Sequence, residues 1–239
     1  MPKRIGVIGD IHGCITELKD LLHALSTFAL DSIFHVGDLI DRGPDSGAVV
    51  SLLLDAGIQG VMGNHESKIL DLLKKSSPQD IKDDDKRRSA LSLTKVPDTI
   101  TYIRNLPRIH VVDGVFPEPI ALVHGGLWPK IPLWKQPSSV TMAQLIDPNK
   151  PGSVAWTSHE KARSAGFVPW WDVWDGPETV VFGHTVFSKP QIYRRTIALD
   201  TGCVFGGHLT AIILPEMAFV QIPAKEPYCE RRKLPNKIS

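Results

Sequence analysis

The stretch VIGDIHGC, residues 7–14, carries an apolar run directly into a glycine-flanked polar pair, Asp10 and His12. The apolar, β-branched residues 5–8 predict a short buried strand. Asp10 and His12 are two positions apart, so along an extended segment their side chains project to the same side. Alone, an aspartate beside a glycine is typical of a turn. The stretch therefore leaves two interpretations open, a metal site at the end of a strand or a polar turn.

Short β-branched runs recur along the chain and predict further strands. The predicted strands are Arg4–Ile8, Ser32–Val36, Ile58–Met62, Ile120–Val123, Thr179–Phe182, Ile192–Leu199, Leu209–Leu214 and Ala218–Ile222. Apolar residues at helical spacing separate the first three of these strands, which indicates a βαβαβ beginning. This alternation predicts a largely parallel sheet with helices on its faces, whereas the closely spaced final strands predict antiparallel hairpins. The fold class is α/β, with a layered or sandwiched core.

Length and charge limit the organisation and the partners. The 239 residues are 42% hydrophobic, enough for one core, so we expect a single domain over residues 1–222 and a polar tail over 223–239. Twenty-seven basic and 26 acidic residues give a net charge of +1, which argues against a nucleic acid polymer or a membrane as partner. Three cysteines without paired spacing, Cys14, Cys203 and Cys229, predict reduced thiols and a cytoplasmic location.

Two segments depart from the strand and helix pattern. Residues 74–90 carry six basic and four acidic side chains, which predicts an exposed loop or loose helix. Residues 127–178 hold all six tryptophans and predict an excursion from the sheet that acts as a cap or wall over a site. Within it, WWDVW at 170–174 offers two interpretations: a surface on which adenine stacks, or aromatic packing of the cap onto the core.

Five polar clusters follow five of the predicted strands, and each contains glycine. They are GDIHG at 9–13, GDLIDRG at 37–43, GNHE at 63–66, HGG at 124–126 and GHT at 183–185. In open α/β sheets a ligand binds outside the carboxyl ends of the strands, so clusters that lie far apart in sequence converge there. One polar turn needs no special explanation, but the same pattern at five strand ends indicates a functional site.

The side chains in these clusters indicate a metal site. The six candidate ligands are Asp10, His12, Asp38, Asn64, His124 and His184. Carboxylate, amide and imidazole groups suit a borderline divalent ion such as manganese, iron or zinc better than calcium. Six ligands exceed the need of one open catalytic ion, and a carboxylate can bridge two ions that lie roughly 3.5 to 4 Å apart. Asp38, in the middle of the set, is the predicted bridge.

In this order, the five motifs resemble those of the calcineurin-like metallophosphoesterases. GDLIDRG and GNHE are most similar to the phosphoprotein phosphatase branch, which includes symmetrical diadenosine tetraphosphate hydrolases. The segment ALDTGCVFGGHLTA at 198–211 resembles the closing strand region of bacterial members. The resemblance implies a metallophosphatase-type layered α/β/β/α sandwich with mixed sheets, over which the tryptophan-rich excursion forms a cap.

The resemblance also implies a role for each site residue. One ion is held by Asp10, His12 and Asp38, and a second by Asp38, Asn64, His124 and His184. Manganese is the expected metal, with iron or zinc as alternatives. His65 acts as general acid, Asp41 orients it, and Arg42 grips phosphate, with Asn64 also facing the substrate. A hydrogen bond from His65 to Asp41 would favour the imidazolium and fix its tautomer. Glu66 is expected to support the ligands and not to bind metal itself.

The implied reaction is hydrolysis of a phosphoester or phosphoanhydride by a metal-bridging hydroxide. The expected substrate is diadenosine tetraphosphate or a related dinucleoside polyphosphate, and the alternative is a phosphoprotein, cleaved by a serine/threonine phosphatase. A non-catalytic phosphate-binding module is a third hypothesis, disfavoured by the full ligand set. The motifs do not identify a second cationic residue for phosphate, for which Arg104, Lys161 and Arg163 are candidates by region. They leave the oligomeric state open.

Overall fold

The structure is a computed structural model that describes residues 2–157, 159–230 and 237–238. The α-helices of this part of the chain are α1 Ile15–Leu25, α2 Ser46–Asp55, α3 Asn64–Leu73, α4 Asp84–Thr94, α5 Thr99–Asn105, α6 His159–Ser164 and α7 Trp170–Val173. The strands are β1 Ile5–Ile8, β2 Ser32–His35, β3 Gln59–Gly60, β4 Ile109–Val112, β5 Ile120–Val123, β6 Leu145–Ile146, β7 Val154–Trp156, β8 Val168–Pro169, β9 Thr179–Phe182, β10 Gln191–Tyr193, β11 Thr196–Ala198, β12 His208–Leu214, β13 Ala218–Pro223 and β14 Lys237–Ile238.

Two five-stranded mixed sheets form the body of the protein. The first has the order β13-β12-β1-β2-β3, with β1, β2 and β3 parallel and β12 antiparallel to both of its neighbours. The second has the order β10-β11-β9-β5-β4, with a parallel centre and antiparallel edges. The predicted βαβαβ beginning and the predicted antiparallel hairpin at the end are both confirmed.

The layers follow from which face each strand buries. In β5, Ile120 and Leu122 point between the two sheets, while Ala121 and Val123 pack against the tryptophan-rich segment. This alternation is the period of two expected for a strand buried on both faces. Apolar side chains of α1, α2, α4 and α5 cover the outer face of the first sheet. The layered α/β/β/α sandwich with mixed sheets is thereby confirmed.

Within the two large sheets, the predicted strands differ from the observed ones in three places. The run predicted as one strand over 192–199 is two antiparallel strands, β10 and β11, because Arg194 adopts a left-handed φ of 49° that turns the chain. The strand predicted over 58–62 is shorter, with only Gln59–Gly60 in the sheet. Strand β4, at the edge of the second sheet, was not predicted.

The tryptophan-rich excursion contributes three of the four strands of a small sheet of order β14-β7-β6-β8, together with two short helices. Trp170, Trp171 and Trp174 are buried against the second sheet, and Trp171 stacks on Phe182 with ring centroids 5.6 Å apart. Packing, not base stacking, therefore accounts for the tryptophans of WWDVW. Trp134 differs from them, with 82% of its surface exposed.

The chain turns back after β13, which ends at Pro223. The Lys225 backbone N–H and the Tyr228 hydroxyl both donate to Oε1 of Glu17 on α1, at 2.8 Å each. The first residues of the predicted tail are therefore attached to the domain, whereas residues 231–236 and 239 lie outside the described part of the chain. No helix in the described ranges is long and apolar enough to cross a membrane.

The hydrogen bonds of a buried histidine in β2 determine its protonation state. His35 is fully buried, and its Nδ1 accepts the Gly37 N–H at 3.2 Å. Its Nε2 lies 2.9 Å from the Tyr102 hydroxyl, which itself donates to the Ile58 carbonyl at 2.6 Å. Nε2 must therefore donate, which leaves the ring neutral. Burial, aided by nearby His110, lowers the pKa of His35 to about 3.

We expect His35 to make folding stability depend on pH. Its folded pKa lies below the unfolded value of about 6.5, so its contribution is complete above pH 6.5 and is lost as the pH falls toward 3. Between pH 7 and pH 5 the unfolding free energy should fall by about 2 kcal/mol more in the parent than in His35→Asn. Urea unfolding of the parent and of His35→Asn at pH 7 and at pH 5 measures this difference. His23→Asn, at an exposed position, is the control, and equal pH dependence in parent and His35→Asn would contradict the assignment.

Candidate metal centre

The polar clusters meet at the carboxyl ends of five strands. Asp10 and His12 follow β1, Asp38 to Arg42 follow β2, Asn64 and His65 begin α3 after β3, and His124 and His184 follow β5 and β9. Seven of the nine predicted site residues line one pocket: His12, Asp38, Asp41, Arg42, Asn64, His65 and His184. Asp10 and His124 are buried beside them and do not line it. The structure thus brings residues from both large sheets into one place.

The backbone at the site is strained. Five site residues have left-handed φ angles: His12, Asp38, Asp41, Arg42 and His184. Each such conformation costs on the order of 1–3 kcal/mol in a non-glycine residue and persists only where its surroundings enforce it. The neighbouring glycine at position 63 also has a steric role, since a Cβ there would overlap the Asp38 carboxylate. The glycines of the motifs let the chains approach closely enough to cluster the polar groups.

The buried carboxylate of Glu66 stabilises the loops after β2 and β3 by accepting their backbone N–H groups. Its Oε1 accepts the N–H groups of Leu39 and Ile40 at 2.9 and 3.3 Å. Its Oε2 accepts those of Asp38 and Gly63 at 2.9 and 2.8 Å. One buried carboxylate thus satisfies four backbone donors from two different strand-end loops. Glu66 binds these two loops together without pointing at the pocket.

Asp38 lies at the centre of the candidate ligands. Its Oδ1 accepts the backbone N–H of His65 at 3.0 Å. Its Oδ2 is 3.2 Å from Nε2 of His124 and 3.6 Å from Nε2 of His12. The candidate donor atoms fall into two groups, each within 4.8 Å: His12, Asp38 and His65, and Asp38, His124 and His184. Asp38 belongs to both groups, as a bridging carboxylate must.

The other predicted ligands lie around this centre. Oδ1 of Asn64 is 3.0 Å from Nε2 of His124 and 2.9 Å from Nδ1 of His184. Both oxygens of Asp10 accept the His184 backbone N–H, at 3.2 and 3.1 Å. Asp10 falls outside the two donor groups, and His65 takes its place beside His12 and Asp38.

The histidine tautomers suit metal ligation. Nδ1 of His12 is 3.0 Å from the Ile40 carbonyl, and Nδ1 of His124 is 2.9 Å from the Val36 carbonyl. A carbonyl only accepts, so both Nδ1 atoms must donate, and Nε2 is left to face the other ligands. Metal-binding histidines are usually oriented by such a bond at the other ring nitrogen. The residues present therefore fit a divalent metal.

The electrostatics of the centre also favour a cation. Burial and nearby Arg42 lower the pKa of His12 to about 3, and burial and His124 lower that of His184 to about 3. Both are therefore neutral ligands at pH 7. In contrast, and against the effect of burial, Asp38 raises the pKa of His124 to about 10. Nε2 of His124 faces two acceptor oxygens, so its proton occupies the position where a metal cation would replace it.

His65 and Asp41 form a hydrogen-bonded pair at the edge of the centre. Nδ1 of His65 is 2.7 Å from Oδ2 of Asp41, and its Nε2 lies 3.9 Å from Asp38. Nζ of Lys86 donates to the same Asp41 oxygen at 3.1 Å. Burial opposes ionisation of Asp41, but His65 and Lys86 hold its pKa well below the usual range. An ionised Asp41 fixes the His65 proton on Nδ1 and directs Nε2 toward the ligands.

Lys86 was missed by sequence reasoning. It lies in α4, inside the charged segment predicted as an exposed loop or loose helix, yet it lines the pocket together with Arg42. The candidates by region, Arg104, Lys161 and Arg163, do not line it. The only signal was the density of basic residues in 74–90, which does not indicate which one turns inward.

The pocket has a volume of about 260 Å³ and combines cationic and aromatic walls. The Arg42 guanidinium lies over the Phe205 ring, 5.3 Å from its centroid, and donates to Nε2 of His12 at 3.0 Å. Trp156 is half-buried and also lines the pocket, with its ring 5.6 Å from that of His184. A flat aromatic face thus lies next to the candidate ligands.

Known proteins are similar to this chain in sequence and in fold. Residues 3–209 match the family model of calcineurin-like phosphoesterases. The asymmetrical bis(5'-nucleosyl)-tetraphosphatase PrpE of Halalkalibacterium halodurans is 29% identical, over 92% of this chain and 94% of its own length. The symmetrical bis(5'-nucleosyl)-tetraphosphatase of Cellvibrio japonicus is 28% identical, over 90% and 96%. A crystal structure of a protein provisionally assigned as a diadenosine tetraphosphatase has a TM-score of 0.75 at 36% identity, over 94% of this chain and 95% of that one.

We expect Glu66→Gln to weaken metal binding without touching a ligand. The amide nitrogen of glutamine cannot accept an N–H, so two of the four loop bonds are lost. Loss of a supporting partner typically lowers metal affinity roughly 10- to 100-fold. Isothermal titration calorimetry with Mn²⁺ measures the affinity. Asp71→Asn, an exposed change on the same helix, should bind as the parent does, and unchanged affinity in Glu66→Gln would contradict the role given to Glu66.

Proposed function

We propose, from the premise that this chain belongs to the calcineurin-like phosphoesterase family, that it hydrolyses dinucleoside polyphosphates such as diadenosine tetraphosphate. The protein is a metal-dependent phosphoester hydrolase. The observation that carries the proposal is the pair of donor groups that share Asp38, with His65, a member of one group, held by Asp41. Two relatives that align over nearly their whole length are bis(5'-nucleosyl)-tetraphosphatases, which supports this substrate class.

The donor set suits two divalent cations, for which we propose manganese. Asp10, His12 and Asp38 would hold one, and Asp38, Asn64, His124 and His184 the other. When bound, such ions neutralise charge on phosphate oxygens and supply a water that is deprotonated near neutral pH. Mixed carboxylate, amide and imidazole ligands also accept iron or zinc. Cys14, Cys203 and Cys229 form no disulfide, which favours the reducing cytoplasm as the location.

The protein side chains would position the phosphate and provide the proton. Arg42 presents a planar fork to two phosphate oxygens, and Asn64 lies at the floor of the same pocket. His65, held by Asp41 through Nδ1, has only Nε2 free to protonate the leaving phosphate oxygen. Lys86 adds a second positive charge at the same wall, within reach of a further phosphate of the chain.

We expect the protein, supplied with Mn²⁺, to cleave diadenosine tetraphosphate faster than phosphoserine peptides at equal concentration. Chromatography of the products measures this and also distinguishes symmetrical cleavage, to two diphosphates, from asymmetrical cleavage, to a triphosphate and a monophosphate. Faster turnover of the phosphopeptides would replace the proposal with the protein phosphatase alternative.

In the same assay His65→Asn should lower turnover by roughly 10²- to 10⁴-fold, the usual effect of losing a general acid. Its bound Mn²⁺ should remain at the parent level, because His65 supplies a proton and not a metal bond. His208→Asn, at an exposed position outside the pocket, is the control. Turnover at the parent rate in His65→Asn would remove His65 from the mechanism.

Trp156 is the structure's candidate for contact with a base. Its half-buried ring lines the pocket beside His184, and a base stacked on an aromatic face is worth about 1–3 kcal/mol. We expect Trp156→Ala to raise KM for diadenosine tetraphosphate by roughly 5- to 150-fold while leaving KM for p-nitrophenyl phosphate unchanged. Trp134→Ala, at an exposed position, is the matched control. An equal rise for both substrates would indicate that Trp156 only shapes the pocket.

A further inference from the structure

A second cluster of metal-binding side chains lies outside the site described above. It consists of Cys14, Glu17 and Cys203, hereafter the thiol–carboxylate cluster, whose ligand atoms lie within 4.8 Å of one another. All three residues are buried, with exposures of 0%, 0% and 2%. The Cys14 thiol donates to the His12 carbonyl at 3.8 Å. The cluster joins the start of α1 to the turn that follows β11.

Glu17 provides the independent indication of a ligand. Its Oε1 accepts the Lys225 N–H and the Tyr228 hydroxyl, at 2.8 Å each. Its Oε2 is buried and has no hydrogen-bond partner among the described residues. A buried carboxylate oxygen without a partner is unfavourable, because it has lost water and gained nothing in return. A cation beside the two sulfurs would satisfy it.

The donor set selects the kind of ion. Two cysteine sulfurs and a carboxylate oxygen in a closed, buried position are ligands of zinc, which favours sulfur and four-coordinate structural sites. Glu17 lies in the first turn of α1, an 11-residue helix whose positive end favours anionic ligands. Cys229 offers a third sulfur, and with it a fourth ligand, because its N–H donates to the Val204 carbonyl at 3.2 Å, next to Cys203.

We propose that the thiol–carboxylate cluster is a structural Zn²⁺ site, separate from the dinuclear centre. Cys14 and Cys203 would bind through sulfur, each releasing its thiol proton, and Glu17 through Oε2, with Cys229 as the fourth ligand. No oxidation or reduction is involved. The ion would attach the C-terminal segment to α1 through Glu17, which already holds Lys225 and Tyr228. It would also fix Cys14, two residues after the candidate ligand His12.

Cobalt substitution tests the site without interference from the dinuclear centre. The full chain, kept reduced with a phosphine and saturated with Mn²⁺, is titrated with Co²⁺. Cobalt bound to thiolate gives a sulfur-to-metal charge-transfer absorption, which the nitrogen and oxygen ligands of the dinuclear centre do not give. We expect this band to saturate at one Co²⁺ per chain and to disappear when Zn²⁺ is added.

Variants assign the band to its ligands. Cys203→Ser should lower the intensity of the band, because one of the three sulfur ligands is lost, and Glu17→Gln should weaken Co²⁺ binding at least tenfold. Asp20→Asn is the matched control, because it removes the other contact of α1 with Lys225 but no donor of the cluster. His65→Asn should keep the band while losing turnover, so failure of this site and failure of the proposed catalysis are distinguishable.

Two results would overturn the proposal. One is the absence of a charge-transfer band in the parent protein, which needs no variant and so does not depend on whether a substitution folds. The other is a band of parent intensity in Cys203→Ser, since the cobalt would then be bound to a different thiol.

Discussion

The ionised carboxylate of Asp38 is the charge on which the rest of the site depends. It lies 3.2 Å from His124 and belongs to both groups of candidate ligands, so moving it would separate them. Its residue has a left-handed backbone, a conformation that a non-glycine residue adopts only under constraint. Glu66 provides that constraint by accepting the N–H of Asp38 and those of two following residues. Hydrogen bonds to the Glu66 carboxylate thus stabilise the strained backbone of Asp38.

The sandwich explains why ligands from distant parts of the chain reach Asp38. Each large sheet contains parallel strands, and those strands end at the same edge of the molecule. The first sheet places Asp10 and Asp38 there, and the second places His124 and His184. The two sheets are held face to face by their shared apolar side chains, so the ligand distances are set by core packing.

Much of this was predictable from sequence because it is local. Strand ends and glycine-flanked polar clusters follow from residue type and spacing, and the supporting position of Glu66 follows from the resemblance of the motifs. What was not predictable depends on contacts between distant segments. Lys86 reaches Asp41 across 45 positions, and Trp156 enters the pocket from the excursion while its neighbours at 170–174 are buried. A charge run or a tryptophan-rich segment shows composition, and only the packed chain shows which side chain faces inward.

The charges of the pocket impose an order on binding. Its acidic lining residues are Asp38, Asp41, Asp85, Asp200 and Glu230, and its permanent cations are Arg42 and Lys86. The protein as a whole carries only +1, so no long-range field draws in a polyanion. Without metal, the pocket would repel a phosphate chain, because its carboxylates outnumber its cations. Two divalent ions would add four positive charges at the carboxylates and reverse the local sign. The charge balance therefore favours metal binding before phosphate binding, with Arg42 and Lys86 adding to the positive charge that the phosphate chain meets.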